Sequence, residues 1–162
     1  MKSGQTLVEF ALVSMIMLFV VLGLVDFGFL FAGRIGAYQA TRAAVRFGAV
    51  SPTAWTAAST PAAGTIEGRL VLTGIPARVP NDDAHLTISY LVPGAGAATV
   101  CGSWSAAAGA FQPRAGYTQA TCVVSGNLVR IHATYLYSFV TPFLRSAFGS
   151  LTITTDASEL VE

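Results

Sequence analysis

Few side chains in this sequence are equipped for chemistry. His85 and His132 are the only side chains that titrate near neutral pH. The acids beyond the N-terminal third, Glu67, Asp82, Asp83, Asp156, Glu159 and Glu162, show no helix-spaced pairing of the kind that would mark an acid/base dyad. No G-x-S-x-G, H-E-x-x-H or P-loop occurs, and Gly94-Ala95-Gly96 lacks the third glycine and following helix of a dinucleotide fingerprint. Asn81-Asp82-Asp83 offers oxygens for a weak calcium site, but its residue types are those of a polar turn. Cys101 and Cys122 form no C-x-x-C and have no close histidine, so no metal set stands out. The expectation is a protein that is not an enzyme and takes neither metal nor cofactor. Two features remain: a pair of cysteines, and two acids, Glu9 and Asp26, in or beside an apolar run where a carboxylate is expensive.

The element that must position those acids is the N-terminal run. The 24 residues from Phe10 to Gly33 carry one charge, Asp26. As a helix rising about 1.5 Å per residue they cover roughly 36 Å, more than the roughly 30 Å hydrocarbon core of a bilayer. A buried helix of a soluble protein is the rival reading, but no polar face interrupts the run between Leu7 and Val25. A cleavable secretory signal is a second rival, with Lys2 as its basic start. The run is too long for one, contains Glu9 at its near edge, and is followed by no Ala-x-Ala before Arg34. Glu9 and Asp26 are seventeen residues apart, so a helix holds them roughly 25 Å apart, near opposite faces of the bilayer. Asp26 is then expected to reach interfacial water, and Glu9 is either an edge residue that snorkels or a residue with a job.

The whole chain agrees with a tethered domain. It has 162 residues, 53% of them apolar and only 10% charged, with a mean hydropathy of +0.61. That composition excludes disorder, and the length suits one ordinary domain plus one extra element. A net charge of +1 leaves no general attraction for phosphate backbones, so nucleic acid is not an expected partner.

Gly4-Gln5-Thr6-Leu7-Val8-Glu9-Phe10 places a glycine, four residues, a glutamate and an aromatic between a basic start and the apolar run. This resembles a type IV prepilin processing site. The longer stretch VEFALVSMIMLFVVLGLVDFGFLFAGRIGAYQATRAAVRFGA resembles the TadE-like pseudopilins, minor pilins of the tight-adherence or Flp type IVb pilus system. The matching features are Val8 to Leu12, the Val-Asp-Phe-Gly of 25 to 28, and the Arg/Ala-rich continuation to Gly48. The resemblance is strong over residues 4–50 and general beyond. It implies cleavage on the cytoplasmic side, between Gly4 and Gln5, by a prepilin peptidase, leaving Glu9 as the fifth mature residue before Phe10. The leader of four residues is short, and Gln5 is polar where many pilins begin with an apolar residue.

Cleavage creates a positive α-amine at Gln5 with a pKa near 8. Burying that amine among apolar helices is costly unless it is paired. Glu9 of a neighbouring subunit, offset by about one helical turn, would neutralise it and set the stagger between helices. Counting cations puts Lys2 on one side of the span and Arg34, Arg42 and Arg46 on the other, which by the positive-inside rule would leave the body cytoplasmic. The resemblance implies the reverse, and both cysteines lie in the body. Cys101 and Cys122 suit one disulfide, worth roughly 3 kcal/mol by loop closure in an oxidising compartment, with two buried thiols as the alternative.

The remaining segments are read as supports. Gly28, Ala32, Gly36, Ala40, Ala44 and Gly48 recur every fourth residue, a stripe of small residues against which a body could dock. Pro52 ends the helix, and residues 51–64 read as a connector. Thr65 to Thr73 reads as a short helix, His85 to Val92 as a strand, and residues 94–121 as a long loop or irregular hairpin closed by the cysteines. The alternation Val129, Ile131, Ala133, Tyr135, Tyr137, Phe139 marks one buried strand face, with His132 on the other. Pro142 to Gly149 suggests a helical turn and Leu151 to Thr155 a last strand.

The expected fold is α+β and pilin-like: a leader (1–4), a transmembrane and assembly helix (5–33), its extracytoplasmic continuation (34–50), a linker (51–64), and a small antiparallel β-sheet head (65–162). The implied protein is a minor pilin or pseudopilin of a type IVb pilus. It is held in the bacterial inner membrane by a single span, with its head in the periplasm or outside the cell, and serves there or incorporated in a pilus. Its implied partners are other pilin and pseudopilin subunits, the prepilin peptidase, the inner-membrane assembly machinery and the lipid bilayer. An uncleaved, single-pass anchor carrying an extracytoplasmic binding or sensory domain is the alternative.

Overall fold

One helix, α1 (Ser3–Val50), runs 48 residues without a break, about 72 Å. Its inner half is Leu, Val, Met and Phe, its outer half alanine with arginine, so no residue in it demands an interruption. The last turn closes with the Ser51 amide on the Phe47 carbonyl, and Pro52 bars another turn because it has no N–H and excludes its predecessor from helical geometry. The computed structural model describes residues 3–57, 60–73 and 79–162. Met1 and Lys2 of the expected leader lie outside the described residues, as do parts of the connector and of the segment after the second helix.

The outer half of α1 carries the head. A short helix α2 (Ile66–Thr73) lies against it, followed by strands β1 (Leu86–Val92), β2 (Thr99–Ser105) and β3 (Ala110–Pro113), a single helical turn α3 (Gln119–Cys122), strand β4 (Leu128–Ser138), helix α4 (Pro142–Phe148) and strand β5 (Ser150–Leu160). The strands form one antiparallel sheet in the order β3-β2-β1-β4-β5. The α+β class with a long apolar helix and an antiparallel head is therefore observed.

The sheet face that meets α1 is the one the β4 alternation marks: Val129, Ile131, Ala133 and Tyr135 are buried there. Opposite them β5 contributes Ala157, Thr155 and Ile153. Thr155 and Thr41 of α1 share a hydrogen bond of 2.7 Å between hydroxyls, and the Thr41 hydroxyl also reaches the Ala37 carbonyl, so the polar pair is satisfied within the interface.

The docking stripe differs from the one expected. Buried along α1 are Asp26, Gly33, Ala37, Ala40, Thr41, Ala44, Val45, Gly48 and Ala49, whereas Gly28 and Ala32 are exposed. A strict four-residue spacing drifts about 40° around a helix at each step. The expected row meets the sheet only from Ala40 onward, and the true contact alternates steps of three and four. At Gly48 a Cβ would lie 3.1 Å from Ile66 Cδ1 and 3.5 Å from Val129 Cγ2, so its lack of side chain admits both α2 and β4.

The segment expected as a long loop or irregular hairpin holds the β2–β3 hairpin, whose four-residue second strand is too short to show a period. Two further differences have local causes. The last strand is eleven residues instead of five, because its outer half is Ser, Asp, Ala and Glu and takes its strand state from pairing with β4. The connector is also more than a spacer. Trp55 stacks on Trp104 at 4.9 Å between ring centroids and on Phe111 at 5.8 Å, and donates its indole N–H to the Tyr90 hydroxyl at 3.0 Å. A tryptophan in a Ser/Thr/Pro/Ala stretch was the available signal.

Candidate functional site

The chemistry-bearing residues fall into three regions: the bare inner half of α1, the seam where the head meets it, and the head itself. In the first, none of the most apolar window of α1 is buried. Leu7 is 70% and Phe10 71% exposed, and large apolar side chains remain exposed through Phe31 and on to Ile35. A helix that is apolar all round requires an apolar environment. Gly4 sits in the first turns of α1 with open space where a Cβ would stand. The backbone of Gln5 is helical, and its side chain lies outside the described residues. Glu9 and Phe10 follow on the exposed surface, one helical turn and more from Gln5.

At the second region Asp26 does not reach interfacial water. It is completely buried, turned into the head at the junction of β4 and α4. Its carboxylate accepts the amide N–H of Val140 at 2.8 Å, the amide N–H of Thr141 at 3.1 Å and the Thr141 hydroxyl. Its own carbonyl accepts from the Tyr137 hydroxyl at 2.9 Å. Thr141 is the N-cap of α4 and Pro142 opens it, so Asp26 supplies from another helix the acceptor that a capping side chain ordinarily provides. Sequence reasoning missed Tyr137, Val140 and Thr141 as partners. The signal was there in part: a buried carboxylate requires donors, and Thr-Pro marks a helix start with unsatisfied amides.

In the head, Cys101 and Cys122 form a disulfide with a Cα–Cα distance of 5.7 Å. The register of β1 and β2 slips between Tyr90 and Leu91, leaving Cys101 with no residue opposite. Such a bulge re-aims one side chain, here toward α3, where the Thr118 cap fixes Cys122.

Glu67 is a buried acid the sequence did not single out. Burial raises its pKa, against hydrogen bonds that favour the charged form, including that from the Thr56 amide to Oε1 at 3.1 Å. Its second oxygen and the Trp104 indole lack partners of normal geometry, although the two groups interact and Trp104 also holds the pKa down.

The histidines are separate and each has one acid. His85 Nδ1 is 2.7 Å from Asp82, whose carboxyl is held below its ordinary value mainly by that bond. His132 Nδ1 is 2.9 Å from Asp156 across β4 and β5, with Arg130 at 3.2 Å from the same oxygen. Desolvation works to raise the Asp156 pKa, but the bonds from His132 and Arg130 win and lower it. Asp83 accepts from the Ser105 hydroxyl and the Ala106 amide, so both turn aspartates are occupied in holding loops. Among the described residues no three of His, Cys, Asp or Glu gather as a metal site would require.

Residues 4–49 match the family model described as TadE-like protein. No curated protein and no solved structure matches the chain. TadE-like pilus proteins are not typically enzymes, and their association with the Tad pilus implies pilin-type partners in general. This match places the likeness to TadE-like proteins of the Tad pilus system on residues 4–49, nearly the whole of α1.

Proposed function

We propose that this protein is a minor pilin or pseudopilin that takes part in assembling a type IVb pilus after cleavage between Gly4 and Gln5. The observation that carries the reading is the bare rod: α1 exposes apolar side chains on every side from Leu7 to Val25, while its other half is built into a head. Such a rod is stable in a bilayer and equally in the apolar core of a helix bundle, and its subunit passes between the two at small cost because lipid tails and neighbouring helices are alike apolar. Residues 6–25, about 30 Å of helix, form the span in this reading, shorter than the expected 5–33 because the head packs against α1 from Asp26 onward. Asp26 then marks its outer boundary, where the head begins.

The head lies on the extracytoplasmic side of the bacterial inner membrane. The Cys101–Cys122 bond supports this, since disulfides persist in oxidising compartments. Arg42 and Arg46, which oppose this orientation by simple counting, line one cleft with Asp156 and Glu159, so part of their charge is offset locally. Glu9, exposed one turn from the new amine at Gln5, sets the register by pairing with the amine of an adjacent subunit.

Mass spectrometry of the mature protein is expected to show a chain that begins at Gln5. Glu9→Ala is expected to be cleaved normally and to be absent from pili or their assembly complex. A mature chain that retains Met1, or normal incorporation of Glu9→Ala, would overturn the reading.

A further inference from the structure

Helix α4 is placed where a water-soluble head would not put it. Its sequence is PFLRSAF, and none of its residues is buried. Phe143 is 62% and Phe148 65% exposed, and Val140 just before it is 66% exposed. Surface helices in water turn their apolar stripe to the core, whereas this one faces outward. It also reaches below the seam: the Phe143 ring lies 5.5 Å from that of Phe19, seven residues before Asp26 and so about 10 Å further down α1. Between the two helices runs an apolar cleft of about 380 Å³, lined by Phe19, Leu22, Gly23, Val140, Phe143 and Leu144. Exposed apolar surface is therefore continuous from the rod onto α4.

The polar atoms fit the same setting. A segment entering hydrocarbon must satisfy its backbone without water. The Val140 and Thr141 amides and the Thr141 hydroxyl are all taken by Asp26, and the Ser146 hydroxyl bonds within the helix to the Phe143 carbonyl. Arg145, the one charge of α4, is exposed and long enough to carry its guanidinium up to lipid phosphates while its stem stays in the apolar layer.

We infer that α4 and Val140 form a second membrane-contacting element, a short helix laid into the outer leaflet beside the span and held at that depth by Asp26. The occupant of its exposed face is the bilayer. The inference rests on the reading of α1 as a membrane span.

The test uses the full chain in vesicles of phosphatidylcholine with a minority of phosphatidylglycerol. An environment-sensitive fluorophore is attached to one introduced cysteine at a time, the native pair being bonded. The sites are Phe148→Cys, Val140→Cys, Leu18→Cys in the span and Ala107→Cys in the exposed β2–β3 turn. Labels at 148 and 140 are expected to emit to the blue of the label at 107. Lipids spin-labelled near the glycerol are expected to quench them several-fold more strongly, and aqueous iodide hardly at all. Quenching by iodide to the level of Ala107, with Leu18 still in lipid, overturns the inference and leaves the pilin reading standing. Shielding of 148 and 140 from both quenchers overturns it in favour of a protein partner, including a second copy of the chain. A Leu18 label exposed to iodide overturns the membrane reading and this inference with it.

Discussion

Removing the Cys101–Cys122 bond tests how the head is held together and where it resides. The bond spans 21 residues, and on the chain-entropy model closing such a loop in the unfolded state contributes about 3 kcal/mol. Both cysteines are completely buried, with Cys122 at the end of a single turn of helix and Cys101 on the bulge, so the bond ties α3 covalently to β2. For a head of about 100 residues each kcal/mol corresponds to about 5 °C in Tm, and the double variant Cys101→Ala/Cys122→Ala is expected to melt roughly 15 °C lower. The assay is thermal unfolding of the full chain in detergent, followed by near-ultraviolet circular dichroism to report the Trp55–Trp104 stack. A companion measurement is thiol alkylation in intact cells: the wild-type cysteines are expected to react only after unfolding and reduction. A drop in Tm under about 4 °C would refute the loop-closure reasoning. Free thiols in the mature cellular protein would refute the oxidising location.

Other perturbations read other parts of the structure. Asp26→Ala is expected to free the Val140 and Thr141 amides, seen as hydrogen exchange at least about tenfold faster there with β1–β2 protection retained; unchanged exchange would mean that Asp26 does not hold α4. Glu67 has its pKa raised by burial, so the folded state holds the proton more tightly than the unfolded one. The stability it contributes is full below about 4.5 and is lost as pH rises through the higher folded value. The wild-type Tm is therefore expected to slope downward across that window more steeply than that of Glu67→Gln, and parallel slopes would refute it. At Gly102 a Cβ would stand 2.4 Å from Phe111 Cζ; Gly102→Ala is expected to cost about 1–3 kcal/mol by overpacking and to disturb the Trp55 stack, measured by denaturant melts and tryptophan emission.

Much of the framework was legible along the chain because its causes are local. The rod is an uninterrupted run of apolar types, the helix end is a proline, and the β4 face is a period of two over six residues. The single pair of cysteines left one internal pairing. The Gly4 to Phe10 pattern on which the proposed processing rests is visible for the same reason, as residues at fixed spacings beside the run.

What the sequence alone could not decide rests on contacts between residues far apart in the chain. Asp26 reads as a boundary acid until the loop 114 residues later delivers the Val140 amide to it. The docking stripe on α1 cannot be read from the small residues alone, because every fourth position drifts around the helix and only the sheet decides which side is covered. Trp55 looks like part of a connector until Trp104 and Phe111 stack on it. The exposed apolar face of α4 is a property of position, since the same seven residues turned inward would be ordinary core. Local composition determined that this protein has an apolar rod and a separate head; the tertiary structure decided how far down the rod the head reaches, because only long-range burial and hydrogen bonding choose among faces that are locally equivalent.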